Sequence, residues 1–133
     1  VTFRTGVDAA VKARKTGNDA ALAILKTAMA ALRTNFKTSM TDALTKVKEA
    51  CGSSEQTVKE AGVKAFRDTA KTARQTFTDG QKAALETAKT TFKANQTTFK
   101  AALETAKKAK EEAMNLKKSE RKAKNEHSSE AIQ

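Results

Sequence analysis

The chain has 133 residues, no Pro, Trp or Tyr, and 26 Lys+Arg against 15 Asp+Glu, a formal net charge of +11. Leu, Ile, Val and Phe together number 21, with 26 Ala and 19 Thr, too little bulk for a wide compact core. One His and one Cys exclude an internal disulfide, a Cys-pair metal site and the usual nucleophile–base sets.

The first predicted element is a helix over about 3–50. Its large apolar residues are Phe3, Val7, Val11, Leu22, Leu25, Met29, Leu32, Phe36, Met40, Leu44, Val47 and Cys51. Spacings of three and four put them on one stripe of an α-helix. Arg14 and Asn18 interrupt it, and Gly17-Asn18 is an expected kink. An 11-residue repeat runs through this segment: Arg4-Thr5, Lys15-Thr16, Lys26-Thr27, Lys37-Thr38, then Lys48-Glu49 and Lys59-Glu60. Eleven residues over three turns stay on one face of a nearly straight helix. Two residues after each cation comes a small one (Gly6, Gly17, Ala28, Ser39, Ala50, Ala61), which lets a neighbouring helix approach closely. Cys51 shares a column with Val7, Met29 and Met40, so it is expected to pack like a core residue, with a free thiol or an intermolecular disulfide as the alternative.

Cys51-Gly52-Ser53-Ser54 is the expected break, with Gly52 as a helix C-cap and Ser53 and Gln56 spaced as a capping box. The repeat keeps phase through it, which leaves a continuous helix as the alternative. A second helix over about 55–116 carries an 18-residue repeat, five helical turns long. Asp68-Thr69-Ala70-Lys71, Glu86-Thr87-Ala88-Lys89 and Glu104-Thr105-Ala106-Lys107 are its copies. Phe66, Phe77, Leu85, Phe92, Phe99, Leu103 and Met114 form its apolar edge. Asp79-Gly80, with Thr78 and Gln81 spaced as another capping box, would give a second break near 79–80 and a three-helix arrangement. Residues 117–133 read as a polar, basic, frayed helix or tail.

The expected fold is therefore all-α: an elongated antiparallel helical hairpin or small bundle over residues 1–116, built from 11- and 18-residue repeats. The packing positions are Leu22, Leu25, Met29, Leu32, Phe36, Met40, Leu44 and Val47 against Phe66, Phe77, Phe92, Phe99 and Leu103. Thr5, Thr16, Thr27 and Thr38 lie nearly opposite the stripe as a candidate polar face.

No catalytic, cofactor-binding or metal-binding set is legible. His127 stands in the polar tail, and the Glu111-Glu112 pair sits among lysines as on a solvated face. There is no Gly-rich phosphate loop. The expectation is a non-enzymatic protein without cofactor or small-molecule substrate, acting through helix packing and self-assembly as a homo-oligomer or polymer, filamentous or surface-associated. The alternative is a basic amphipathic module for an anionic surface, lipid or nucleic acid. For lipid, the candidate face is Phe66, Phe77, Phe92 and Phe99 with Lys59, Lys64, Lys82, Lys89, Lys93 and Lys100. For nucleic acid it is Lys107, Lys108, Lys110, Lys117, Lys118, Arg121, Lys122 and Lys124, diluted by Glu111, Glu112, Glu120 and Glu126. No run of about 20 apolar residues is present. A start at Val1 without Met fits a processed chain that is secreted or at the cell surface, or equally a trimmed piece, so a cytoplasmic setting stays open.

Several of these motifs resemble known groups. The 11-residue period is similar to that of late-embryogenesis-abundant proteins. Lys48-Glu49-Ala50 and Lys59-Glu60-Ala61-Gly62-Val63 resemble the lipid-surface repeats of synucleins and exchangeable apolipoproteins, which would imply membrane-surface binding. Thr5-Ala9-Ala13 and Thr16-Ala20 look like the Thr/Ala face of α-helical fish antifreeze proteins. That likeness covers residues 5–38 only and would imply ice binding by the Thr column; the high charge departs from it. The whole-chain texture resembles exported Ala/Lys/Thr-rich helical bacterial proteins of unknown function.

Overall fold

The computed structural model describes residues 2–130, and side chains as far as residue 128. Two helices fill it: α1, Phe3–Cys51, and α2, Gln56–Glu130, packed against each other as a helical hairpin. Val1 and residues 131–133, the last of the expected tail, lie outside the described residues.

Local chemistry sets the helix ends. Thr2 caps α1: its Oγ1 accepts the Thr5 N–H at 3.3 Å, and the Thr5 hydroxyl donates to the Thr2 carbonyl at 2.9 Å. At the other end the Gly52 N–H is shared between the carbonyls of Lys48 and Glu49, both at 3.1 Å. Gly52 thus closes α1 as expected, through this shared bond and without a positive φ. The expected capping box does not form. Ser53 Oγ takes the Glu55 N–H at 3.1 Å, one residue short of the helix, and the Gln56 amide donates forward to Glu60 at 3.0 Å. Cys51 is exposed and free, contrary to its expected packing role. It is the last residue of α1, where α2 has not yet begun.

Thr is a poor helix former because its hydroxyl competes for backbone partners. Here the competition is turned inward: Thr45, Thr87, Thr91, Thr97 and Thr105 donate to carbonyls four residues back, at 3.0–3.1 Å. The ion pairs, such as Lys15–Asp19 at 2.7 Å and Lys64–Asp68 at 2.8 Å, each link one turn of one helix and are solvent-exposed. They support helicity and do not hold the two helices together.

Side-chain contacts between α1 and α2 do that, in two compact units: Val1–Asp19 with Phe92–Gln133, and Ala20–Thr91. In both, the buried residues are all alanine: Ala10 and Ala106 in the first, Ala21, Ala43, Ala70, Ala73 and Ala88 in the second. No large side chain is fully buried among the described residues. Ala10, Ala21 and Ala43 lie on one 11-residue column, with half-buried Leu32 between the last two. Ala70, Ala88 and Ala106 are the alanines of the three 18-residue copies. Both kinds of repeat therefore place alanine against the other helix, with Leu32 the exception in the 11-residue column.

The second unit shows how close that approach is. A Cβ on Gly62 would overlap the Ala50 side chain, and one on Gly80 would overlap Leu32 Cδ2. Asp79-Gly80 is thus no break: α2 runs straight through, and the glycine clears room for Leu32. Phe36 and Phe77 meet at a tilt, ring centroids 5.6 Å apart and planes at 51°.

Candidate functional site

The first unit contains a polar layer that the apolar stripe gave no reason to expect. Asn95 Nδ2 donates to Asn18 Oδ1 at 3.0 Å across the seam, in a half-buried setting. The Asn95 amide also fills the space beside Gly17, 2.8 Å from where a Cβ would stand. One turn away, the Arg14 guanidinium lies 4.2 Å over the Phe99 ring and donates to Gln96 Oε1 at 3.3 Å. Arg14, Gly17 and Asn18 therefore interrupt the stripe because side chains of α2 face them, and α1 remains helical through them.

Further along this unit, Lys110 Nζ sits 5.0 Å over the Phe3 ring. From Lys107 to Ser128 every residue of α2 is exposed, including Met114 and Leu116. The basic cluster Lys107 to Lys124 lies here. Lys107 pairs with Glu104 at 3.5 Å and Lys122 with Glu126 at 3.9 Å, so part of its charge is neutralised locally.

In the second unit the sequence-derived packing positions divide. Leu25, Met29, Leu32, Phe36, Met40, Val47, Phe66 and Phe77 are half-buried along the seam. Leu22 and Leu44 are not, at 52% and 45% exposure. They fall on the outer margin of the stripe, Leu44 in a groove that it shares with Phe66 of α2. Phe92, Phe99 and Leu103, in the first unit, are half-buried. Thr5, Thr16, Thr27 and Thr38 are all exposed.

Two kinds of groove flank the second unit's seam. One is lined by Ala21, Ile24, Leu25, Ala28, Ala84, Thr87, Ala88 and Thr91, without a single charge. Ile24 stands at its edge, 64% exposed, the most exposed large apolar side chain among those described. The other kind meets at Phe66. On one side Phe66 is grouped with Arg67, Lys71 and Arg74, on the other with Lys37, Met40 and Leu44. Neither Ile24 nor the Arg67–Lys71–Arg74 run was singled out from the sequence. The signal for the run was there, since its spacings of four and three mark one helix face.

Compared with protein-family models, curated proteins and solved structures, the chain finds no match. The surfaces must speak through their own chemistry. Among the described residues no three His, Cys, Asp or Glu side chains converge, and no helix is long and apolar enough to cross a membrane. The perturbed ionisations are local. The Asp68 carboxyl is held below its usual range by the hydrogen bond from Lys64 and by that cation's charge, with Lys71 adding a weaker pull. Lys64 is raised by the same pair, and Lys15 by its bond to Asp19.

Proposed function

We propose that this chain is a non-enzymatic structural protein that works by self-association, at a cell surface or outside the cell. One observation carries the reading: the hairpin buries only alanine along its seam and leaves large apolar side chains from Phe3 to Leu116 between 38% and 64% exposed. A buried large apolar side chain contributes about 1.5–3 kcal/mol relative to an exposed one, a gain the hairpin alone does not collect.

The contact between copies belongs in the uncharged groove around Ile24. Molecules of net charge +11 repel one another, so a second copy is best received where no cation stands. The Ile24 groove meets that condition, and its Ala and Thr residues allow helix backbones to come close. Salt should strengthen this association by screening the repulsion between copies.

The test is molar mass by light scattering over a concentration series at two salt levels. Mass should rise with concentration and further with salt. Ile24→Asp should weaken association about tenfold or more, the equivalent of one lost apolar anchor. A wild type that stays monomeric throughout, or an Ile24→Asp protein that assembles like wild type, contradicts the proposal.

A further inference from the structure

The flank of the second unit that meets at Phe66 has a different chemistry from the Ile24 groove. At about 100° per residue, Arg67, Lys71 and Arg74 share one side of the Ala70–Ala73–Phe77 seam, and Thr69, Thr72 and Thr76 share the other. The groove on the Thr side, which also holds Asn35 and Ser39, contains no cation. The cations are thus gathered on one flank. None of Lys37, Arg67, Lys71 and Arg74 forms an ion pair or side-chain hydrogen bond with a described residue. Lys71 adds only a through-space pull on Asp68, which Lys64 already holds.

Beside Arg67, Lys71 and Arg74, whose groove also holds Gln75 and Thr78, an apolar strip begins at Phe66 and runs to Met40, Leu44 and Lys37, with Thr41 as its one uncharged polar member. Leu44 is 45% exposed, and Phe66 and Met40 are half-buried with their outer sides in the groove. An apolar centre rimmed by long cationic side chains matches an anionic membrane surface. The centre enters the acyl boundary, while the Lys and Arg stems lie along it and their heads reach the phosphates. A second copy fits poorly, because two such faces would set cation against cation. Duplex nucleic acid would use the cations but leave Met40 and Leu44 without a partner.

We propose that the Phe66 flank, with Lys37, Arg67, Lys71 and Arg74 as its rim and Met40 and Leu44 as its centre, is a docking surface for anionic lipid bilayers. It is separate from the Ile24 groove, so the protein has one face for its own copies and one for a membrane.

The experiment is co-sedimentation of the full chain with vesicles of phosphatidylcholine alone, or of phosphatidylcholine and phosphatidylserine in equal parts, at low and high salt. The chain should bind the mixed vesicles, ignore the neutral ones, and be released by salt. Arg67→Gln/Lys71→Gln/Arg74→Gln should weaken binding about 100-fold, at roughly fivefold per cation. Leu44→Gln should weaken it about fivefold through the lost apolar contact. Both variants alter exposed side chains and should keep wild-type helicity, and the comparison of lipids and salts requires no variant. Ile24→Asp should bind vesicles like wild type, so failed self-association and failed lipid docking read out separately. Equal binding to neutral vesicles, undiminished binding by the triple variant, an inert Leu44→Gln, or capture of duplex DNA with no capture of vesicles would each overturn the assignment.

Discussion

Gly80 is the clearest case of a residue whose identity is set by a neighbour on another helix. In an isolated helix Ala is favoured over Gly by about 1 kcal/mol. Here the added methyl would run into Leu32. Gly80→Ala should therefore fail to gain stability, because Leu32 must turn away from the new methyl at a cost that offsets the helical preference, and Leu32→Ala should uncover that preference in the double-mutant cycle. Thermal melts of the four proteins read this, and a higher melting temperature for Gly80→Ala would contradict the packing described. Asp68 gives a second residue-level expectation. Its carboxyl titrates below the usual range in the folded chain, so the stabilisation from its pair with Lys64 is present above that range and is lost as pH falls through the lowered value. Lys64→Ala should move the Asp68 titration upward by NMR. No movement would mean that the 2.8 Å pair does not persist in solution.

At the scale of the helices, the Asn18–Asn95 bond fixes which turn of α1 meets which turn of α2 in the first unit. A seam of alanines is nearly self-similar from turn to turn and says little about register; a polar pair in one place does. Asn18→Leu alone strands the Asn95 amide and should cost about 1–3 kcal/mol. The Asn18→Leu/Asn95→Leu pair should regain much of that stability while broadening the NMR lines of this unit. Equal stability for single and double variants would show that the two amides are uncoupled. The two helices and the break near residues 51–54 were legible in the sequence, because the absence of Pro and the period of the repeats act locally. The polar layer was not: Arg14 and Asn18 look like interruptions until Gln96, Asn95 and Phe99 are brought opposite them. Gly80 was misread for the same reason, since a glycine that makes room and a glycine that ends a helix are identical in one chain. The 18-residue repeat marks the buried Ala70, Ala88 and Ala106, whereas in α1 the small column that follows each cation (Gly6 to Ala61) is at most half-buried and the buried line is Ala10, Ala21 and Ala43, alanines that the stripe of large residues hides. Leu22 and Leu44 belong to that stripe in period and not in burial.

For the whole molecule, the two proposed contacts respond oppositely to salt. Screening weakens repulsion between copies of charge +11 and so favours association through the uncharged Ile24 groove. The same screening weakens attraction between the Phe66 flank and an anionic bilayer. Assembly and membrane attachment can thus be separated by ionic strength in one preparation. The most direct test of the account places a thiol where the copies are said to meet. In a Cys51→Ser background, Ile24→Cys and, as control, Thr34→Cys on the exposed side of α1 are oxidised at high salt. The account predicts a disulfide-linked dimer through position 24 and little through position 34. No dimer at 24, or equal yields at both positions, would contradict self-association through this groove.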